Sequence, residues 1–173
     1  MIIQVAQDLV CSTLSNCPTF QSLVGAVDAT EALDKVFQDA LPKPVAEAYT
    51  KQELINLRPY AIVAYEADIE SWSYARIATG GSTDQCWRAQ GSLRIEILRS
   101  TTSNLTPAQD AKSFREVASS IIQEMAAQYE SGGIAADLYG LQGPYRIADE
   151  QLEELGDHSW VIISVQFGRG AAG

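Results

Sequence analysis

Apolar residues recur at helical spacing at the start of the chain. Ile2, Val5, Ala6, Leu9, Val10 and Thr13 share one side of a helix, and Asn16-Cys17-Pro18 stops it. A second helix is expected after Asp28-Ala29-Thr30-Glu31, with Ala32, Leu33, Val36, Phe37 and Ala40 on one side and Pro42 and Pro44 ending it. Val45 to Tyr49 reads as a short strand, and Lys51 to Leu57 as a turn or a single helical turn. From Pro59 the period changes. Pro59 to Glu66 is a run of aliphatic and aromatic residues with proline at its first position, where a strand tolerates it, and is expected to be a central strand. Ser71 to Thr79 alternates Trp72, Tyr74 and Arg76 with Ser73, Ala75 and Ile77, so one face is aromatic and charged and the other small or aliphatic. A loop at Gly80 to Asp84 leads into a long strand, Gln85 to Arg99, with a break or bulge expected at Gly91. The strands at 71–79 and 85–99 form a hairpin with a polar tip.

The strongest local signal is a helix beginning at Pro107. Thr106 at the N-cap and Gln109 three residues on make a T-x-x-Q capping box, with proline at the first helical position. Ala111, Phe114, Ala118, Ile121, Ile122, Met125 and Tyr129 form its apolar stripe, and Gly132-Gly133 ends it. Gly140 to Pro144 reads as a loop and Asp149 to Asp157 as an acidic connection. Trp160 to Phe167 is the last strand, and its near-continuous apolar start places it inside a sheet, with Ser164 and Gln166 near an edge or partner. Helices with one apolar stripe and strands with inward faces bury one another. The expected fold is therefore α+β: a mixed, largely antiparallel β-sheet packed against a long helix and an N-terminal helix. No repeat or linker divides the chain, so residues 1–173 are expected to form one domain, with a flexible end at 168–173.

Composition adds one constraint. Hydrophobic residues make up 46% and charged residues 20% of the chain, as in ordinary globular proteins, but 22 acids against 12 cations leave a net charge of -10. Phosphate backbones and anionic membranes are repelled by such a protein, so affinity for nucleic acid is not expected. The opening MIIQVAQDLV lacks a basic n-region and no apolar run approaches the ~18 residues of a membrane span, so the chain is expected to be made and folded in a cytoplasm.

Candidate chemistry is sparse. Cys11, Cys17 and Cys86 are too few for a disulfide framework; Cys11 and Cys17 lack zinc spacing and read as core thiols. His158 is the one histidine, so histidine catalysis would need it, and a Cys86–His158 arrangement with an acid is left open by the sequence. Neither G-x-S-x-G nor a P-loop is present. Asp149, Glu150, Glu153, Glu154 and Asp157 lack the alternation of a calcium loop and read as a solvated face. No residue is assigned a catalytic, cofactor-binding or metal-binding role. Among the tryptophans, Trp160 reads as core, Trp87 as core or interface anchor in equal measure, and Trp72 as a candidate anchor.

The order of these features resembles the tail terminator proteins of long-tailed bacteriophages, most closely the branch in Mu-like contractile-tailed phages. The residues that carry the resemblance are the N-terminal amphipathic helix, Arg58-Pro59-Tyr60-Ala61-Ile62-Val63, the hairpin into Ser92-Leu93-Arg94-Ile95-Glu96-Ile97-Leu98-Arg99, the long helix, and Val161-Ile162-Ile163-Ser164-Val165-Gln166-Phe167. The resemblance implies a non-enzymatic virion protein that binds copies of itself, typically as a hexameric ring. Such a ring caps the head-proximal end of the tail tube, contacts the tube protein, and receives the neck, connector or stopper while DNA passes through without specific binding. The interface is expected on the Ala67 to Asp84 hairpin, at Trp72, Tyr74 and Arg76, with Trp87. Alternatives are another head-to-tail connector, a small enzyme using Cys86 or His158, or a ligand-binding module.

Overall fold

The computed structural model describes residues 2–43, 47–65, 71–79, 82–130, 138–145 and 158–172, with side chains at 4–43, 47–65, 91–128, 143–144 and 159–166. Five helices are formed: α1 (Ile2–Ser15), α2 (Pro18–Val24), α3 (Ala29–Leu33), α4 (Lys51–Leu57) and α5 (Pro107–Glu130). Six strands accompany them: β1 (Val36–Gln38), β2 (Tyr60–Tyr65), β3 (Ser71–Thr79), β4 (Ser82–Ser100), β5 (Leu138–Tyr145) and β6 (His158–Ala172). The strand order is β1-β2-β4-β6-β5, with β3 also paired to β4; β1 runs parallel to β2 and every other pair is antiparallel. The expected α+β class and largely antiparallel sheet are therefore present.

Local chemistry accounts for the helix boundaries. The Thr106 hydroxyl accepts from the Gln109 backbone N–H at 3.3 Å while the Gln109 side chain accepts from the Thr106 N–H at 3.0 Å, the reciprocal box read from the sequence. A second box, Thr50 with Glu53, starts α4, so 51–57 is a seven-residue helix where a turn or a single helical turn was expected. Pro18 opens α2 at N1, and Gly25 ends it with φ 73°, the left-handed conformation glycine adopts without penalty. Asp28 caps α3 as expected, but the helix stops at Leu33. Val36 and Phe37, assigned to that helix from their spacing, are instead strand residues registered on Ala61 and Ile62. A β-branched and an aromatic residue beside the otherwise open edge of β2 gain more from the ladder than from further helix.

Three more expectations are corrected. Gly91 introduces no bulge: β4 pairs with β6 in unbroken register from Cys86↔Ala172 to Ser100↔His158. The expected loop at 140–144 lies within β5, whose register on β6 shifts at two places. Gly143, with φ 147°, brings β5 so close that a Cβ there would stand 3.1 Å from the Ile162 carbonyl oxygen, so a glycine is needed at this edge. The end expected to fray pairs as strand through Ala172. Residues 47–50 are not strand, while the rest of the expected 45–49 strand, the hairpin tip at 80–81, Gly132-Gly133 and Asp149 to Asp157 lie outside the described residues.

The core lies on one face of the sheet. Ala61, Val63, Leu93, Ile95, Ile97, Val161, Ile163 and Val165 pack against Ala6, Val10, Leu14, Phe20, Phe114, Ala118, Ile121 and Met125 of the helical layer. On α1 the buried stripe includes Gln7 and leaves Val5 half-exposed. Gln7 can be buried because its amide donates to the Val63 carbonyl at 2.8 Å and to Asp39 at 2.9 Å, tying α1 to the edge of the sheet. At the other end, Asp110 in the first turn of α5 accepts from the Thr102 N–H, from Arg99 Nη2 at 3.0 Å and from the Ser159 hydroxyl, joining the helix to β4 and β6. Arg99 also lies over the Phe114 ring at 4.4 Å.

Burial by itself would favour the neutral form of Asp110, but the hydrogen bonds from Ser159 and Thr102 and the Arg99 charge outweigh it and hold its carboxyl below its ordinary value. The stability it contributes is then present above the unfolded aspartate pKa of about 3.9 and is lost as the pH falls through the lower folded value. Asp110→Asn is expected to lower the unfolding free energy by about 3 kcal/mol at pH 7, because Arg99 loses its charged partner in a buried setting. Urea titrations should show wild type and variant converging as the pH falls below ~4; a constant difference down to pH 2 would contradict the assignment. Gly143→Ala should cost about 1–3 kcal/mol in the same assay, since the substitution meets both a strained φ and the β6 backbone.

Candidate functional site

A strand advances about 3.3 Å per residue and a helix 1.5 Å, so the 19 residues of β4 reach roughly 60 Å while the 24 of α5 reach roughly 36 Å. One helix of this length therefore cannot run the whole length of β4. The half that packs on helices is where β4 pairs with β2, Tyr65↔Leu93 to Tyr60↔Leu98. The other half is built from β3, residues 82–90 of β4 and residues 168–172 of β6: a three-stranded arm. β2 and β3 meet the same edge of β4, and five residues, 66–70, separate them where β4 has only two, Gly91 and Ser92.

The arm carries all four residues predicted as an interface. Tyr74 lies directly opposite Trp87, Trp72 opposite Ala89, and Arg76 opposite Gln85. Opposed residues on antiparallel strands share a face, so positions 72, 74, 76 and 87 fall together. With unbroken alternation along β4, position 87 is on the same face as Leu93, Ile95 and Ile97. By register, positions 72, 74, 76 and 87 thus fall on the sheet face that carries the core positions of β4. β6 adds two residues missed by sequence reasoning, Phe167 opposite Gly91 and Arg169 opposite Ala89. Their signal was the alternation Phe-Gly-Arg-Gly-Ala-Ala, which sets small residues on one face and larger ones on the other, and which resembles a frayed tail when read for composition alone.

The arm also inverts the charge of the chain. It holds Arg76, Arg88 and Arg169 against a single acid, Asp84, whereas the remaining nine cations face 21 acids. β3 is nine residues long without proline, glycine or a register shift, and among the described residues no strand pairs with its outer edge. Such an edge invites pairing by another chain; the opposite edge, β5, is blunted by irregular register and by Pro144.

The sheet face turned away from the core holds Tyr60, Ile62, Ala64, Arg94, Glu96, Leu98, Trp160 and Ile162. Trp160, expected in the core, is half-buried here opposite Leu98. Glu96 is flanked by Ile62 and Ile162 and paired with Arg94 at 2.6 Å. Burial raises its pKa and the Arg94 charge only partly opposes this, so at neutral pH its ionised form costs stability.

The catalytic alternatives meet geometric limits. Position 86 pairs with one end of β6 and position 158 with the far end of β4, 14 residues away along the strand, or roughly 45 Å. Cys86 and His158 of one chain do not meet. Cys11 and Cys17 are buried, which pushes their thiols up to about 11 and about 12 and makes them poor nucleophiles. Among the described residues no group of three His, Cys, Asp or Glu side chains is placed to hold a metal ion, and no helix is long and apolar enough to cross a membrane.

Cys11 and Cys17 should resist alkylation in the native protein at pH 8 and react at once in denaturant, as read by mass spectrometry of labelled peptides; rapid native labelling of either would contradict the buried assignment. Glu96→Gln is expected to be at least as stable as wild type at pH 7, opposite in sign to the change at Asp110, and a loss above about 1 kcal/mol would contradict the desolvation argument. No protein-family model matches the chain, and neither does any curated protein.

Proposed function

We propose that the chain is a structural subunit of a bacteriophage virion that closes into a ring of six copies, caps the head-proximal end of the tail tube, and receives the neck or stopper. The observation that carries this reading is the arm. A sheet that outruns its longest helix, places Trp72, Tyr74, Trp87 and Phe167 on the core face by register, and leaves a regular nine-residue edge with no strand beside it among the described residues suits a subunit completed by neighbours. The order of elements that underlies the resemblance to tail terminators supports it as well.

Charge is compatible with the same role. A ring through which DNA travels must not grip it, and a chain with net charge -10 can line its lumen with carboxylates that repel phosphate. The protein then contacts tube protein and neck through its ring faces while DNA passes without specific binding.

Electron microscopy of phage tails with antibody-marked protein is expected to place it at the head-proximal end, and purified protein to form rings with a central channel. Its presence elsewhere on the particle, or absence from it, would overturn the reading. Duplex DNA should not be retarded by the protein in gels at physiological salt; retardation would contradict the repulsive lumen.

A further inference from the structure

The arm's aromatic and cationic face calls for an acidic and apolar counterpart, and the helical layer presents one. Val27, just before α3, is 87% exposed and Leu33, the last residue of α3, is 44% exposed, with Asp28, Glu31 and Asp34 exposed around them. Large aliphatic side chains held in water amid acids have no role in this chain's own core. The backbone beneath them is fixed: Asp28 accepts the Glu31 N–H at 2.9 Å, and Glu31 accepts the Val27 N–H at 2.7 Å. The adjacent cation, Lys35, is directed to the Leu57 carbonyl at 3.3 Å, and among the described residues no ion pair engages these acids. These residues form a preorganised ledge.

Within one molecule the ledge belongs to the helical layer and the arm to the far half of the sheet. α3 packs on α1 and α2, which cover the core half of the sheet. Folding the arm back over the helices would break the β4–β6 ladder, which is unbroken across the junction of the two halves.

We propose that the arm of one copy docks through its Trp72, Tyr74, Arg76 and Trp87 face onto the Val27–Asp34 ledge of a second copy. The occupant is argued from charge, because the arm carries three arginines against one acid in an acidic chain and the ledge concentrates acids around exposed aliphatics. Arm and ledge are different surfaces, so the contact is heterologous: each copy offers one of each, and repetition closes a ring or extends a chain. The proposal rests on the ring-forming reading and names the two surfaces that make the ring.

Two full-length variants test it. One is disabled in the arm (Arg76→Glu with Trp87→Ala), the other in the ledge (Val27→Asp with Leu33→Asp), and native mass spectrometry reads their assembly. Wild type is expected to form closed oligomers. Each variant alone should remain monomeric, with self-association weakened by a factor of about 100 or more. The mixture should give 1:1 heterodimers and nothing larger, because it contains one intact arm–ledge pair. Thermal melting checks that each variant is folded; if Trp87→Ala lowers the melting temperature, Arg76→Glu with Arg169→Glu replaces it, since it changes charge alone. Oligomers that persist in either variant overturn the docking and leave the ring reading standing. Wild type that stays monomeric at high concentration also overturns the docking, while loss of the ring reading requires absence from the tail's head-proximal end.

Discussion

Strand and helix use chain at different rates, and most of this structure follows from that mismatch. A helix folds 24 residues into about 36 Å, while β4 stretches 19 over about 60 Å. A long strand in uninterrupted register with an equally regular partner, as β4 is with β6 from Cys86 to Ser100, propagates the sheet past any helix that covers it. One half of the sheet becomes a core with a helical lid. The other half becomes an arm with the same face alternation and no α5 above it.

The covered half is held by few but specific polar ties. Gln7 fastens α1 to Val63 and Asp39 at the edge of the sheet, and Asp110 fastens the start of α5 to Thr102, Arg99 and Ser159 near the ends of β4 and β6. Between them lies the apolar core, and within the helical layer Thr19 donates to Glu124 and Gln128 donates to the Thr13 carbonyl. Leu93, Ile95 and Ile97 are fully buried beneath Phe114, Ile121 and Met125, so the register of β4 is fixed by its inward face. A rigid lower half fixes where the arm is presented.

Sequence legibility followed the range of the interaction. The caps at Thr106 and Asp28, the α5 stripe through Phe114, Ala118, Ile121 and Met125, and the β3–β4 pairing depend on neighbours within a few residues or on simple alternation, and they were readable. Val36 and Phe37 were not. Their helical spacing was genuine, but the partner that decides their state, β2, lies 25 residues away. Likewise Gly168 and Gly170 suggest fraying until β4 supplies the second half of the ladder, and Gly140 to Pro144 suggests a loop until pairing with β6, whose close approach requires glycine at 143, makes it strand. Trp160 was read as core from its strand, but one step of alternation decides its face, and its register on Leu98 turns it to the other side. Trp72, Tyr74, Arg76 and Trp87 were named one by one as interface candidates; that their positions share one face with 167 and 169 required the register.

The central claim is that the arm is completed by another copy of the chain while the helix-covered half is complete in itself. Hydrogen–deuterium exchange on dilute and assembled protein separates the two halves directly. Amides at 93–99, 114–125 and 161–165 should be protected in both states, whereas those of 71–79 and the facing segments of β4 and β6 should gain protection only on assembly. Equal protection of the arm in monomer and assembly, or protection gained in the core instead, would contradict the account.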